Sequence, residues 1–237
     1  MYLTDNTAAP YNVITGYAST NVPAYSNGND SHTSNEWNFL YGVFTGMKWQ
    51  CVEYARRWLF IRKGCVFDSI DGAKDIWNLT IVQRVVDKKC FTLKSHPNGS
   101  PYRPQNESLL IYKGSTPDIP FGHVAVIVDV LPDAIRVAEE NYNPYYWTGN
   151  YAREIPYVFR NGSYFIDDYY SIFGWMTVED NNETKPLDQS TIDIIQKLNG
   201  TSPDFICQNN ARKHYLSIFF LTISLLLSLL RTKNMNV

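Results

Sequence analysis

From residue 109 to residue 179 the chain is a succession of short β-branched and aromatic segments separated by turn residues, and no long helical pattern interrupts them. LLIYK at 109–113, HVAVIVDV at 123–130, IRVAEEN at 135–141 and IPYVFR at 155–160 read as strands, followed by YFIDDYY at 164–170 and FGWMTVE at 173–179. The one long helical pattern lies before them. Cys51, Ala55, Trp58 and Leu59 fall at helical spacing, with Glu53, Arg56, Arg57 and Arg62 distributed around the other sides, and Gly64 follows as a natural C-terminal cap. The spacing predicts a helix over about 49–63. A helix first and strands afterwards indicates an α+β fold with an antiparallel sheet, because a parallel sheet needs alternating βαβ units.

The remaining segments are less periodic. Residues 1–40, rich in Asn, Ser, Thr and Gly, read as loops; a weaker helix is expected at 71–77, a turn-rich connection at 91–108 and a short helix at 190–198. The expected organisation is a leader at 1–9, one domain at 10–180, a polar linker at 181–214, an apolar tail at 215–230 and a basic end at 231–237. With 44% hydrophobic residues, 237 residues suffice for one domain with a sizeable core. A net charge of −2 argues against nucleic-acid binding driven by overall charge. The four cysteines, Cys51, Cys65, Cys90 and Cys207, contain no CxxC pair, which excludes a zinc ribbon. Cys65, Cys90 and Cys207 carry no special signal, and pairing of Cys65 with Cys90 would need an oxidising compartment.

Cys51 opens the predicted helix. A thiol there faces the positive end of the helix dipole and unpaired backbone N–H groups, which lower its pKa and can hold an oxyanion. On the helix alone, an apolar cysteine on the inner stripe is the preferred reading. Among the histidines, His32, His96 and His214 fall in segments expected to be solvent-exposed, whereas His123 stands at the start of a buried strand beside Gly122. In the next strand Ile135, Val137 and Glu139 share one face, while Arg136, Ala138 and Glu140 share the other. A hairpin loop at 131–133 sets Val130 opposite Ala134 and His123 opposite Asn141, so that His123, Glu139 and Asn141 share a face. Glu139 is then the carboxylate that orients the imidazole, and Glu140 lies beside Arg136 in solvent; a one-residue slip would put Glu140 and Tyr142 in place of Glu139 and Asn141.

Together, WQCVEYARRWLF at 49–60, HPNGSP at 96–101, GHVAVI at 122–127, RVAEEN at 136–141 and GWM at 174–176 resemble the CHAP amidase family over roughly residues 10–180. The likeness extends to the amidase domains of glutathionylspermidine- and trypanothione-synthesising enzymes. The resemblance implies a papain-like fold, with the nucleophile helix packed on an antiparallel sheet. Cys51 is then the nucleophile, His123 the base and then acid, and Glu139 the group that orients and stabilises His123. Gln50, Arg56 and Asn141 become oxyanion or substrate contacts. It implies hydrolysis of the amide in a glutathione–polyamine conjugate such as glutathionylspermidine, through a thioester, with neither cofactor nor metal. No Gly-rich phosphate loop follows, so no ligase domain is expected. Two alternatives are a CHAP hydrolase of bacterial wall peptides and an inactive binding protein that keeps the fold.

Two features stand outside the resemblance. Seven N-x-S/T sites occur, at Asn29, Asn78, Asn98, Asn106, Asn161, Asn182 and Asn199, against roughly three expected from random placement, and each is an acceptor only in the secretory pathway. The opening residues lack the basic and apolar regions of a signal peptide. The tail, YLSIFFLTISLLLSLL, carries no charge and is flanked by Arg212, Lys213, Arg231 and Lys233, a pattern expected of a short membrane anchor. As a helix it would reach about 24 Å, short of the roughly 30 Å hydrocarbon core, so a segment packed on the domain and a processed lipid-anchor signal are the other two readings. With the anchor reading, the catalytic domain is cytosolic unless the sequons are used. Deleting residues 211–237 should release the protein from membranes with activity intact, as read by membrane fractionation; unfolding of the truncated protein would make the tail part of the core.

Overall fold

The computed structural model describes residues 8–28, 32–114, 116–182, 186–198 and 205–207. Two hairpins come first: β1 (Ile14–Tyr17) with β2 (Pro23–Tyr25), and β3 (Trp37–Leu40) with β4 (Val43–Met47). Helix α1 (Cys51–Lys63) follows, then β5 (Cys65–Val66), a 3-10 helix at Ala73–Asn78, β6 (Ile81–Arg84) and β7 (Cys90–Pro97). After them come β8 (Ser108–Tyr112), β9 (Val124–Val130), β10 (Ala134–Ala138), β11 (Arg153–Arg160), β12 (Ser163–Ile166) and β13 (Ile172–Val178), and helix α2 (Gln189–Lys197) ends the series. Nine strands form one antiparallel sheet in the order β12-β11-β10-β9-β8-β13-β7-β6-β5, so the fold is α+β. The segment at 215–230 lies outside the described residues. Among the described residues no helix is long and apolar enough to cross a membrane.

The central strands β8, β9 and β10 are buried on both faces. A bridge between Ser100 and Tyr164 brings β12 back to the end of β7, so the strands between them curl around Leu110, Tyr112, Ala125, Ile127, Val137 and Trp175. The outer face, with Leu109, Ile111, Val124, Val126 and Met176, is covered by Tyr54, Ala55, Trp58 and Leu59 of α1. Fully burying each large apolar side chain contributes about 1.5–3 kcal/mol, enough for α1 to be held by packing. Gly64 caps it in the left-handed conformation, its N–H donating to the Leu59 and Phe60 carbonyls.

Several expectations are corrected. Residues 90–97 form the eight-residue strand β7, which buries Phe91 and Leu93 on one face and His96 on the other, and residues 14–17, 23–25 and 37–40 are strands. His96 is therefore buried, its Nε2 sharing a hydrogen bond with Thr177 at 3.1 Å. Cys90 pairs with Cys207 in a disulfide across 117 residues, and Cys65 is a free buried thiol. Closing a loop of that length stabilises by on the order of 5 kcal/mol in the chain-entropy model. The bond ties residues 205–207 to the sheet; Gln83 Oε1, on β6, accepts from the Ile206 and Cys207 N–H groups. Ile195 of α2 likewise packs on Val43, Phe60, Val66 and Val85.

The polar residues of α1 are also more buried than their periodicity suggests. Glu53, Arg56 and Arg57 are all buried, and so is Glu140, which lies on Arg57 and not beside Arg136 in solvent. Arg136 pairs instead with Glu154 at the surface. Arg57 sits between two carboxylates, at 2.9 Å from Glu53 and 2.6 Å from Glu140, and donates to the Pro23 carbonyl. The physical reason is the N-terminal segment, which covers a face that two-state alternation leaves open: the Tyr25 N–H donates to Glu140 Oε1. Removing the shared cation leaves two buried carboxylates facing each other. Arg57→Ala should lower unfolding stability by about 3–5 kcal/mol, measured by urea titration; a loss under about 1 kcal/mol would show that the cluster is not what holds α1 to the N-terminal hairpin.

Candidate active site

The β9–β10 hairpin decides which groups meet. At the turn Val130 pairs with Ile135, one residue away from the expected Val130–Ala134 register. A bulge between Arg136 and Val137 then shifts the pairing so that Val137 faces Ile127 and Ala138 faces Val126. Beyond the bulge these pairs have the register that the sequence reading expects, and the ladder ends at Ala138, just before Glu139. His123 and Glu139 therefore fall on one face, and His123 Nε2 lies 2.9 Å from Glu139 Oε2.

Gly122 makes the approach of His123 feasible. Its φ is +74°, and a Cβ there would come within 2.7 Å of the Tyr112 carbonyl oxygen, so both conformation and space call for glycine.

Cys51 is the first residue of α1 and is hydrogen-bonded to His123, with the Val52 and Val124 backbone N–H groups also at its sulfur. Because Nε2 is engaged by Glu139, Nδ1 is the ring nitrogen left for the thiol. Burial alone would push the Cys51 pKa up, but the charge and hydrogen bond of His123, with the two backbone donors, bring it below the ordinary thiol value. Burial pulls His123 down, yet Cys51 and Glu139 outweigh it and raise its pKa to about 9. The pair is thus poised as thiolate and imidazolium.

Glu139 is buried and nevertheless ionised. Burial pushes its pKa up; Arg153 and His123 hold it down at about 2. Arg153 donates through Nε to Glu139 Oε1, and its Nη1 lies 3.0 Å from Asp168 Oδ2. Its Nη2 reaches the Tyr112 hydroxyl at 3.1 Å, and that hydroxyl in turn donates to Asp168. The guanidinium also stacks 3.6 Å above the Tyr142 ring, and Tyr142 and Tyr112 flank the His123 imidazole. Tyr112, Arg153 and Asp168 carry no pattern in the sequence that marks them. Each stands at or just beyond a strand end, and only the folded sheet gathers those ends.

Gln50, Asn141 and Asn27 close the other side. Asn141 Nδ2 donates to Gln50 Oε1 at 2.7 Å, and Asn27 Nδ2 donates to Asn141 Oδ1 at 3.0 Å. Gln50 Nε2 makes only 3.4 Å contacts, to Asn27 Oδ1 and the His32 carbonyl. Asn27 was not among the expected site residues, since it lies in a segment that reads as loop. A recess lined by Tyr25, Asn27, Glu139, Asn141 and Trp147 adjoins this amide cluster. Arg56 is not brought into the triad's hydrogen bonds. It is buried under Phe44 and Phe67, burial lowers its pKa to about 10, and its Nε has no hydrogen-bond partner.

Comparison with known proteins fits this geometry. Residues 42–141 match the CHAP domain. The chain is 33% identical over 187 residues to a bifunctional glutathionylspermidine synthetase/amidase of Escherichia coli (strain K12), covering 74% of this chain and 30% of that protein. It is 34% identical over 159 residues to a trypanothione synthetase of Crithidia fasciculata, covering 67% and 24% respectively. A glutathionylspermidine synthase of Crithidia fasciculata is 30% identical over 193 residues, 72% of this chain and 27% of its own length. The chain thus spans under a third of the length of each relative, and the residues matched to the CHAP domain, 42–141, take in Cys51, His123 and Glu139. The bulged hairpin, the helix that opens on a cysteine and the CHAP match over 42–141 coincide in one place, and the chain belongs to the CHAP family.

Proposed function

We propose that the chain is a cysteine amidase that cleaves the amide of a glutathione–polyamine conjugate, glutathionylspermidine or a close relative, through a thioester. The continuous line from Cys51 through His123 to Glu139 and Arg153 carries this reading. Cys51 as thiolate attacks the carbonyl carbon, and the backbone N–H groups at the start of α1 stabilise the oxyanion, with Gln50 Nε2 as a side-chain donor. The imidazolium of His123 gives its proton to the departing amine as the C–N bond breaks. His123 then takes a proton from water as water attacks the thioester, and the thiolate is released. Glu139 keeps the ring oriented and favours its charged form throughout. Asn141 holds Gln50, and Arg56 contributes a buried donor for the acid groups of the acyl arm. The relatives named for glutathionylspermidine and trypanothione support this substrate class.

The reading is tested by incubating the purified protein with glutathionylspermidine and, in parallel, with cell-wall fragments, and identifying the products by mass spectrometry. Spermidine and glutathione should accumulate; cleavage of wall peptides alone would replace the substrate, and no cleavage of either would sink the proposed substrate and its wall alternative. Cys51→Ala should reduce turnover at least about a thousandfold while leaving the circular dichroism unchanged; retained turnover would remove Cys51 from the mechanism.

The pH profile follows from the ion pair. Turnover should fall below the lowered thiol pKa, where the nucleophile is protonated, and fall again as pH rises through about 9, where His123 loses the proton it must donate. Glu139→Gln removes a charge that raises the imidazole pKa, so the alkaline limb should move to lower pH and kcat/KM should drop on the order of a hundredfold or more. Burial and the charge of Glu53 push Glu140 well above the ordinary carboxylate range, against the pull of Arg57. Glu140→Gln keeps the shape of a group that faces Arg57 and not His123, and should leave both limbs in place. Equal effects of the two substitutions would refute the assignment of Glu139.

A further inference from the structure

The sequons and the disulfide are unused by the reaction, and they point the same way. Asn78 ends the 3-10 helix, Asn106 lies in the turn before β8, Asn161 in the turn of the β11–β12 hairpin and Asn182 just beyond β13, and all four are exposed. None sits on the segments that carry Cys51, His123 or Glu139. Asn98 differs, since its Nδ2 donates to the Ile166 carbonyl at 2.9 Å and its Oδ1 accepts from the Ile166 N–H at 2.8 Å, fastening the end of β7 to β12. A sugar on that nitrogen would have to enter between the two strands. The second observation is independent of the sequons. Cys90 and Cys207 are paired across 117 residues, and such a structural disulfide persists in an oxidising compartment and is rare where thiols are kept reduced.

We propose that this chain matures in the secretory pathway with N-linked oligosaccharide on Asn78, Asn106, Asn161 and Asn182, and with Asn98 left bare. The donor is a lipid-linked oligosaccharyl pyrophosphate. Transfer forms a C–N bond between the anomeric carbon and Asn Nδ2, breaks the anomeric C–O bond, and sends the amide proton away with the pyrophosphate. The sequon hydroxyl is required for recognition. Because each acceptor side chain is exposed, a glycan there projects into solvent without displacing core side chains. The proposal is independent of the substrate reading, as it concerns where the protein is made and not which amide it cuts.

The test is a peptide map of the full-length protein isolated from its own cells, made without reduction and with free thiols alkylated. Peptide N-glycosidase in heavy-oxygen water should leave heavy Asp at positions 78, 106, 161 and 182, and unlabelled Asn at 98. The Cys90 and Cys207 peptides should emerge linked, with Cys51 and Cys65 alkylated. Asn78→Gln and Asn106→Gln should each speed electrophoretic migration by one glycan-sized step and leave amide hydrolysis unchanged. Unmodified Asn at all four positions, or Cys90 and Cys207 alkylated without reduction, overturns the proposal. Heavy Asp at 98 overturns the rule that side-chain exposure selects the sites.

Discussion

Glu139 is ionised in a place where water cannot solvate it, and much of the arrangement at the strand ends follows from that demand. A buried carboxylate costs several kcal/mol unless charge and hydrogen bonds meet both of its oxygens. Here His123 meets one and Arg153 the other. Arg153 is then a largely buried cation with donors to spare, and Asp168 and the Tyr112 hydroxyl take them. The chain of obligations runs from the end of β8 through the entry to β9 and the exits of β10 and β12 to the start of β11. One charge therefore fixes the relative positions of strand ends that the backbone ladder leaves adjustable, and the imidazole inherits that rigidity.

Two adjacent glutamates show how surroundings decide chemistry. Glu139 faces one guanidinium and one imidazole, so its ionised form is favoured; Glu140 shares Arg57 with Glu53, so one cation serves two carboxylates. The third charge in such a cluster is the costly one, and burial together with Glu53 raises the Glu140 pKa against the pull of Arg57. Its Oε2 is buried without a hydrogen-bond partner, as befits a group at the limit of what the cluster can satisfy. The result is a division of labour between neighbours on opposite faces of a strand end: Glu139 orients the imidazole, and Glu140 joins the helix to the N-terminal hairpin.

What could be read from the sequence was whatever depends on local periodicity. The helix at 51–63 with its Gly64 cap, the strands from 108 to 178 and the pairing of His123 with Glu139 all rest on patterns of period 3.6 or 2. Strand β7 was hidden because its exposed positions hold Thr92, Lys94 and Ser95, and Pro97 and Gly99 beyond them mimic a turn. Alternation puts Glu140 toward solvent because it knows only one covering layer, while residues 23–25 supply a second. The disulfide and the Arg153–Asp168–Tyr112 network depend on which strand ends come together in space, and no residue spacing encodes that. The register was recovered through two compensating departures, since the turn is one residue out and the bulge in the same hairpin restores it.

The start of α1 breaks a local rule, and the break has a chemical use. Gln50 occupies the N-cap position with extended backbone but gives no side-chain hydrogen bond to the helix. A Ser, Thr or Asp there would satisfy a first-turn N–H and stabilise the helix by about 1 kcal/mol. It would also occupy the donors that must receive negative charge when Cys51 attacks a carbonyl. Gln50 instead turns its oxygen to Asn141 and leaves its nitrogen in two long contacts. The helix is held by Tyr54, Trp58 and Leu59 in the core and by Arg57 between two carboxylates, so it can forgo its cap. Stability at the far side of the helix is what permits an open dipole at the end where the thiol sits.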